Sequence, residues 1–430
     1  GVFLPLDEAA NPQIKTVFTT HATVLGRALS SRNVPIYDRL AGIDPDKSAK
    51  EVGVVSKHQL ERLGARLATV FTTVSKITAE EAEAFLGRKV DVVVENGLDS
   101  QALPAFDDLC ILRKRTREQV DDFIASYFFP SHQFDLAQTR YFFTMGRYEA
   151  HNKGYDLFLS SLGSLNKQLQ TEKSSKTVIS LFLVATGNSG LRPEVLSHLT
   201  VYNRMREIVR QKIQVEIPIY QAIWPDGSMN TDSFAQYTDQ ISALVRQLTR
   251  FDEVPISPYQ IDPNDTIVQL ALQNGLRNRA EDRVKVLFLP VYFDGLDGLF
   301  NIPIYELVSA LDLGVFPSVY EPWGYTPLES IMMGVPAVSS TLAGFGRAVS
   351  EHTETYCEGV FVLDRSGKAA EDAGLKLTSY LKTGSDESDR QWLNRRIAAY
   401  LKAQSFGWNH LYRNYSRAYA LAKAGETRKS

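Results

Sequence analysis

The sequence is poor in the residues that build cross-links and metal centres. It has only two cysteines, Cys110 and Cys357, too few for a disulfide framework, so a reducing compartment and a cytoplasmic location are expected. Seven histidines are scattered along the chain, and no His/Cys spacing has the form of a metal site, so neither metal nor other cofactor is expected. No apolar run has the length that crosses a bilayer. No secretory leader is read at the start, where the chain opens on Gly1. An excess of either charge is missing too: 47 Lys and Arg stand against 50 Asp and Glu, a net charge of -3. That balance gives no bulk attraction to nucleic acid or to a membrane surface. Internal repeats and low-complexity tracts are absent. What remains is an ordinary globular composition, 44% hydrophobic over 430 residues, enough for two domains with sizeable cores.

The hydrophobic pattern alternates between strands and helices. Strands are expected at Lys15–Thr20, Thr69–Val74 and Val90–Val94, with helices at Val24–Ser30, His58–Leu67 and Thr78–Phe85. Thr78 and Glu81 have the spacing of a capping box, and Asn96-Gly97 reads as a turn. Arg113–Tyr127 reads as a charged, helical connector. A second alternation follows, with strands at Thr139–Thr144, Thr177–Ala185, Val284–Leu289, Gly314–Pro317 and again after Gly334, and a helix at Tyr155–Leu169. The middle, Arg192–Thr249, reads as mostly helical, and the tail, Asp389–Ala422, as one or two long helices. This βαβ rhythm predicts two parallel sheets, and ligands bind outside the carboxyl ends of such strands.

Three stretches carry chemistry. Val315–Glu329 (VFPSVYEPWGYTPLE) leaves a buried strand and enters a helix. Thr326 at the N-cap, Pro327 at N1 and Glu329 at N3 would start that helix, and Glu329 would close a capping box. Free N–H groups there attract phosphate. Glu321 and Glu329 bracket the turn, and their carboxylates suit sugar hydroxyls. Phe142–Asp156 (FFTMGRYEAHNKGYD) turns at Gly146 and brings two cations, Arg147 and Lys153, to another strand's carboxyl end. Arginine grips a phosphate bidentately and lysine adds a point charge, so together they could neutralise a diphosphate leaving group. Taken alone, these charges would be read as a surface loop. In Thr19–Thr23, His21 ends a strand and could bond a sugar hydroxyl or steady charge at an anomeric carbon, although a lone histidine is more often structural.

Together these stretches resemble glycogen synthase of glycosyltransferase family 3, the animal and fungal type. The matching pieces are FTTHATVLGR (Phe18–Arg27), VFTTVSKITAEEAE (Val70–Glu83), ENGLD (Glu95–Asp99), GRYEAHNKGYD (Gly146–Asp156), DRVKV (Asp282–Val286), GVFPSVYEPWGYTPLES (Gly314–Ser330), LAGFG (Leu342–Gly346) and GVFVLDR (Gly359–Arg365). They run in family order over nearly the whole chain, and YEPWGYTP is the most specific of them.

The resemblance implies an α/β GT-B fold, two Rossmann-like doubly wound domains facing a cleft, with the N-terminal one incomplete. Residues 1–135 would form the acceptor-side domain. Residues 136–385 would form the nucleotide-sugar domain, with a helical insertion at about 190–275, and 386–430 would be helices packing back toward the first domain. The implied reaction is glucosyl transfer with retention, from UDP-glucose to the non-reducing end of an α-1,4-glucan such as glycogen, without a metal and in a homo-oligomer. Arg147 and Lys153 would contact the donor diphosphate, Glu321 the transferred glucose and Glu329 the ribose. The N–H groups of Tyr325 and Thr326 would also meet phosphate. His21, Arg27 and Asn96 would lie on the acceptor side.

The chain departs from the family pattern in three places. The family's first strand–helix units, with a glycine-rich loop facing the donor, have no counterpart ahead of Gly1. The aromatic that stacks on uracil falls at Ile304, one step from Tyr305. Of the C-terminal arginines that bind glucose 6-phosphate, Arg395 and Arg396 fit the start, with Ala398 and Leu401 in later places. The pair is then expected on a solvated helix face. Two alternatives stay open: another GT-B enzyme using a nucleotide sugar, of the trehalose or sucrose type, and a non-catalytic glucan-binding homologue.

Overall fold

The computed structural model describes residues 14–99, 104–212, 232–351 and 359–425. Gly1–Leu6, Cys357 and the centre of the helical middle lie outside these ranges. Strands β1 (Val17–Thr20), β2 (Val70–Thr73) and β3 (Val92–Val93) pair in parallel in the order β1-β2-β3. A second, wholly parallel sheet contains β4 (Thr139–Met145), β5 (Thr177–Leu183), β6 (Val284–Leu289), β7 (Leu313–Val315), β8 (Ala337–Ser340) and β9 (Val360–Leu363). The two parallel α/β units expected from the sequence are therefore present. Parallel strands are covered on both faces and so read as continuous apolar runs. Accordingly, every residue of β5 and β6 is buried.

The order of the large sheet, β6-β5-β4-β7-β8-β9, fixes where a ligand can enter. From β4 the chain winds outward through β5 to β6. It then returns to β7, on the other side of β4, and winds the opposite way. The crevice between the carboxyl ends of β4 and β7 is thus the topological switch point.

One buried carboxylate ties this centre together. Asp312, ahead of β7, accepts from the Tyr141 N–H of β4 at 2.7 Å and from Arg113 and Arg117 at 2.6 and 2.9 Å. Both arginines project from the helix Phe106–Phe128, which is longer than the expected Arg113–Tyr127 connector. The flanking cations hold the Asp312 carboxyl well below the usual carboxylate range against the opposing effect of its burial.

Sequence and structure differ at one strand and at one helix start. The third strand is only Val92–Val93, with single backbone bonds to β2 from the flanking Asp91 and Val94 N–H groups, and beyond it Leu98 bridges to Gly407. The Thr78–Glu81 capping box is not formed. Ser75 is the N-cap of the helix Lys76–Leu86, its hydroxyl accepting from the Thr78 N–H, and Glu81 points into the core.

The tail is two helices, Asp389–Gln404 and Trp408–Ala424. Ala418 and Ala422 of the second pack on Val70, Val92 and Val94 of the small sheet. In the first, the expected solvated arginine face is absent. Arg395 is held by Glu387 through bonds of 2.6 and 2.5 Å, and Arg396 is buried and donates to the Gly334 carbonyl at 2.9 Å. The helix sits against the large domain through Arg396 together with Trp392, Ala399 and Ala403. Among the described residues, no helix is long and apolar enough to cross a membrane.

Candidate active site

The loops leaving β4 and β7 meet because glycines let them approach. Gly146, with φ 155°, follows β4, and a Cβ there would sit 3.1 Å from the Tyr155 hydroxyl. That hydroxyl donates to the Arg147 carbonyl at 3.0 Å and fixes the turn. Gly154 has φ 73°, and a Cβ there would lie 2.2 Å from the Pro317 carbonyl oxygen. A side chain at this position would push the β7 loop away from the β4 loop.

Where the two loops touch, Lys153 forms an ion pair with Glu321. Their side chains are only 12% and 18% exposed, so the pair is weakly screened by solvent. Arg147 stands on the same loop, 60% exposed, with Glu149 as its partner at 3.0 Å. The structure thus unites Lys153 and Glu321 directly, while Arg147 faces outward beside them.

The helix after Glu321 is Tyr325–Met332, with Gly324 as its N-cap at φ 107° and no side-chain cap. Thr326 is therefore inside the helix and not its N-cap, which corrects the reading of Thr326–Glu329 as a capping box. The start carries no side-chain acceptor for the N–H groups of Tyr325 and Thr326, the arrangement that suits an anion. Glu329 is free of any capping duty and instead accepts from the Tyr305 hydroxyl at 2.9 Å. Burial raises the Glu329 pKa above the ordinary carboxylate value, and the Tyr305 bond opposes this. Tyr305 is itself pushed up to about 12 by burial and by the facing Glu329 charge.

His21 and Arg27 are exposed, on the β1 loop and on the following helix Val24–Ser30; Asn96 is buried after β3. All three follow strands of the small sheet. Two buried carboxylates that sequence reasoning missed hold the His21 loop. Glu61 accepts from the Thr20 hydroxyl and, at 2.8 Å, from the Val24 N–H. Glu81 accepts from the Thr23 hydroxyl at 2.6 Å and from its N–H at 3.2 Å. Glu81 also receives the Tyr320 hydroxyl at 3.2 Å, so the β1 loop and the β7 loop share one carboxylate. A Glu inside an amphipathic helix carries no sequence mark of burial, and the capping spacing of Glu81 pointed elsewhere. Among the described residues, no group of three or more His, Cys, Asp and Glu is placed to hold a metal ion.

The family model described as glycogen synthase matches residues 1–427. "Glycogen [starch] synthase" of Neurospora crassa is 34% identical over 98% of this chain and 61% of its own length. "Glycogen [starch] synthase, liver" of Mus musculus is 34% identical over 97% of this chain and 60% of its own. Isoform 2 of Saccharomyces cerevisiae is 33% identical over 98% and 63%. The chain spans about three-fifths of the length of these relatives.

Proposed function

Because the chain belongs to the glycogen synthase family, we propose that it forms the greater part of a retaining glucosyltransferase acting from UDP-glucose on the non-reducing end of an α-1,4-glucan. The observation that carries this reading is the Lys153–Glu321 pair at the switch point of the large sheet, with Arg147 beside it. In the reaction, the bond from the anomeric carbon to the diphosphate oxygen breaks and a bond to an acceptor hydroxyl forms on the same face. The acceptor's proton leaves with the diphosphate.

Negative charge grows on the diphosphate as the first bond lengthens. Arg147, Lys153 and the uncapped N–H groups of Tyr325 and Thr326 oppose it, so their attraction is greatest in the transition state. Glu321 holds hydroxyls of the glucose and keeps Lys153 aimed at the departing oxygen. Glu329 receives the ribose hydroxyls, and Tyr305, exposed and bonded to Glu329, offers an aromatic face to the base. His21, Arg27 and Asn96 stand on the acceptor side. Cations and a helix start do the work at the diphosphate that Mg²⁺ does elsewhere, so activity should withstand a chelator. The enzyme works in the cytoplasm, where a chain of only two cysteines is in keeping with a reducing medium, and as a homo-oligomer.

The test is a donor and acceptor screen of the full-length protein, with EDTA and with Mg²⁺. UDP-glucose and glycogen should give a product with new α-1,4 linkages, unaffected by EDTA. Transfer to a monosaccharide phosphate or to fructose in preference to glucan would replace this reading with a trehalose- or sucrose-type one. Binding of glucan without any transfer would mark a non-catalytic homologue.

A further inference from the structure

We propose that Glu81 is a positioning residue for glucosyl transfer, locking the loop that carries Glu321 onto the loop that carries His21. The proposal rests on the transferase reading above. Glu81 lies on the helix Lys76–Leu86 with no exposed surface. Its Oε1 accepts from the Thr23 hydroxyl at 2.6 Å, the Thr23 N–H at 3.2 Å and the Tyr320 hydroxyl at 3.2 Å, and its Oε2 from the Tyr37 hydroxyl at 3.0 Å. The Tyr37 and Tyr320 rings stack, with centroids 6.0 Å apart and planes 18° apart. Gly26 leaves room for this: a Cβ there would lie 2.1 Å from Oε1.

The start of the same helix grips the other side of Glu321. The Ser75 and Thr78 hydroxyls donate to the Pro322 carbonyl at 2.6 and 3.2 Å. Tyr320 and Pro322, the neighbours of Glu321 in the chain, are thus both bound to one helix of the opposite domain. Glu321 itself is left to meet Lys153. A buried carboxylate with no cation against it is costly unless donors satisfy it. Here the donors come from three places, the β1 loop, the Tyr37 segment and the β7 loop. Thr23 and Tyr37 belong to the same domain as Glu81, so the Tyr320 hydroxyl is the donor that reaches it from the other side, and through that bond the carboxylate sets the Glu321 loop.

Three variants of the full-length protein test this. Glu81→Ala removes the acceptor, Glu81→Gln keeps its shape and one oxygen, and Tyr320→Phe removes only the hydroxyl from the β7 side. Glu81→Ala should lower kcat at least tenfold while the KM for UDP-glucose changes less than threefold, with Glu81→Gln recovering part of the loss. Adding Tyr320→Phe to Glu81→Ala should cost less than twofold more, because both cut the same tie. Amide hydrogen exchange in peptides spanning residues 319–325 should quicken at least tenfold in Glu81→Ala, a readout that needs no activity. If Glu81→Ala does not fold, Tyr320→Phe alone should show the exchange effect and a kcat loss of at least threefold. Unchanged exchange and unchanged kcat in Tyr320→Phe, or additive losses in the double variant, would overturn the proposal. A wild-type protein that transfers no glucose would instead overturn the transferase reading, while the exchange rates would still decide whether Glu81 holds the loop.

Discussion

Lys153 and Glu321, separated by 168 positions in the chain, meet as an ion pair where the loops after β4 and β7 converge. Each balances the other's charge. A diphosphate entering beside them would draw Lys153 partly away from Glu321, and Arg147, already turned outward, would complete the anion's surroundings.

Loss of either cation should therefore weaken both donor use and turnover. A hydrogen bond to a charged group is worth about 1.5–3 kcal/mol, which corresponds to at least tenfold in kcat/KM for Arg147→Ala. Lys153→Ala should do more, because it also leaves the half-buried Glu321 carboxylate without its partner. Steady-state kinetics with UDP-glucose as the varied substrate are the check. Unchanged constants for both variants would remove these residues from the site.

Glu321 and Glu329 should fail in different ways. Glu321→Gln keeps the size of the side chain but weakens its hold on Lys153 and on the sugar hydroxyls, so kcat should fall at least tenfold with a small change in KM. Glu329 has no capping duty, as Gly324 caps the helix without a side-chain bond. Glu329→Gln should accordingly leave thermal stability almost unchanged and raise the KM for UDP-glucose several-fold. Tyr305→Phe should move the same constant in the same direction, because the Tyr305 hydroxyl orients that carboxylate. A normal KM in Glu329→Gln would detach Glu329 from the ribose.

The loops after β4 and β7 were legible because their residues lie close to the strand ends where the sequence places them. A strand end, a glycine and a charge are local features, and Gly146, Lys153 and Glu321 show them in order. The two parallel sheets were legible for the same reason, since buried strands such as β5 are continuous apolar runs. What could not be read was which polar side chains the tertiary fold would bury. Glu61 and Glu81 sit in amphipathic helices, and their donors are distant in the chain: those of the β1 loop lie 37 to 58 positions away and Tyr320 lies 239 away. The capping boxes misled for a related reason. Thr78 and Thr326 have the right spacing to a glutamate, but Ser75 and Gly324 start those helices earlier, and cap geometry depends on how the preceding loop arrives.

Burial makes Glu81 a source of pH-dependent stability. Its carboxyl is raised from the ordinary 4.5 to about 7, chiefly by burial, against the lowering effect of the Thr23, Tyr37 and Tyr320 bonds. Arg27 and Glu61 act on Tyr320, and Glu321 on Tyr37, so these are the other charges facing the cluster. The folded state therefore holds the proton more tightly than the unfolded chain. Its contribution is fully present below pH 4.5 and is lost as pH rises to about 7, an effect of about 3 kcal/mol. Thermal midpoints measured from pH 5 to 8 should fall with rising pH, and Glu81→Gln should flatten much of that slope. Glu329, also raised by burial, leaves a smaller slope of the same sign. A slope identical in wild type and Glu81→Gln would place the titration elsewhere.

Glucose 6-phosphate should activate the full-length enzyme weakly or not at all. An activator must bind one conformation better than another, and a sugar phosphate needs cations that are available to it. Arg395 is committed: Glu387 holds its guanidinium in a two-bond fork, and the guanidinium lies over the Phe361 ring at 4.9 Å. Arg396 is buried, donates to the Gly334 carbonyl and is pushed down to about 10, chiefly by burial. Recruiting either one would break an interaction inside the protein before a phosphate could gain from it. Arg390 is exposed, but a single surface cation is screened at physiological salt and holds an anion loosely. Ala398 and Leu401, on the following turns, offer no donor. Glucosyl transfer measured with and without millimolar glucose 6-phosphate at physiological salt should differ by less than twofold. Activation of tenfold or more, lost in Arg390→Ala or Arg395→Ala, would mean that Glu387 releases Arg395 and that this shortened cluster still works as a switch.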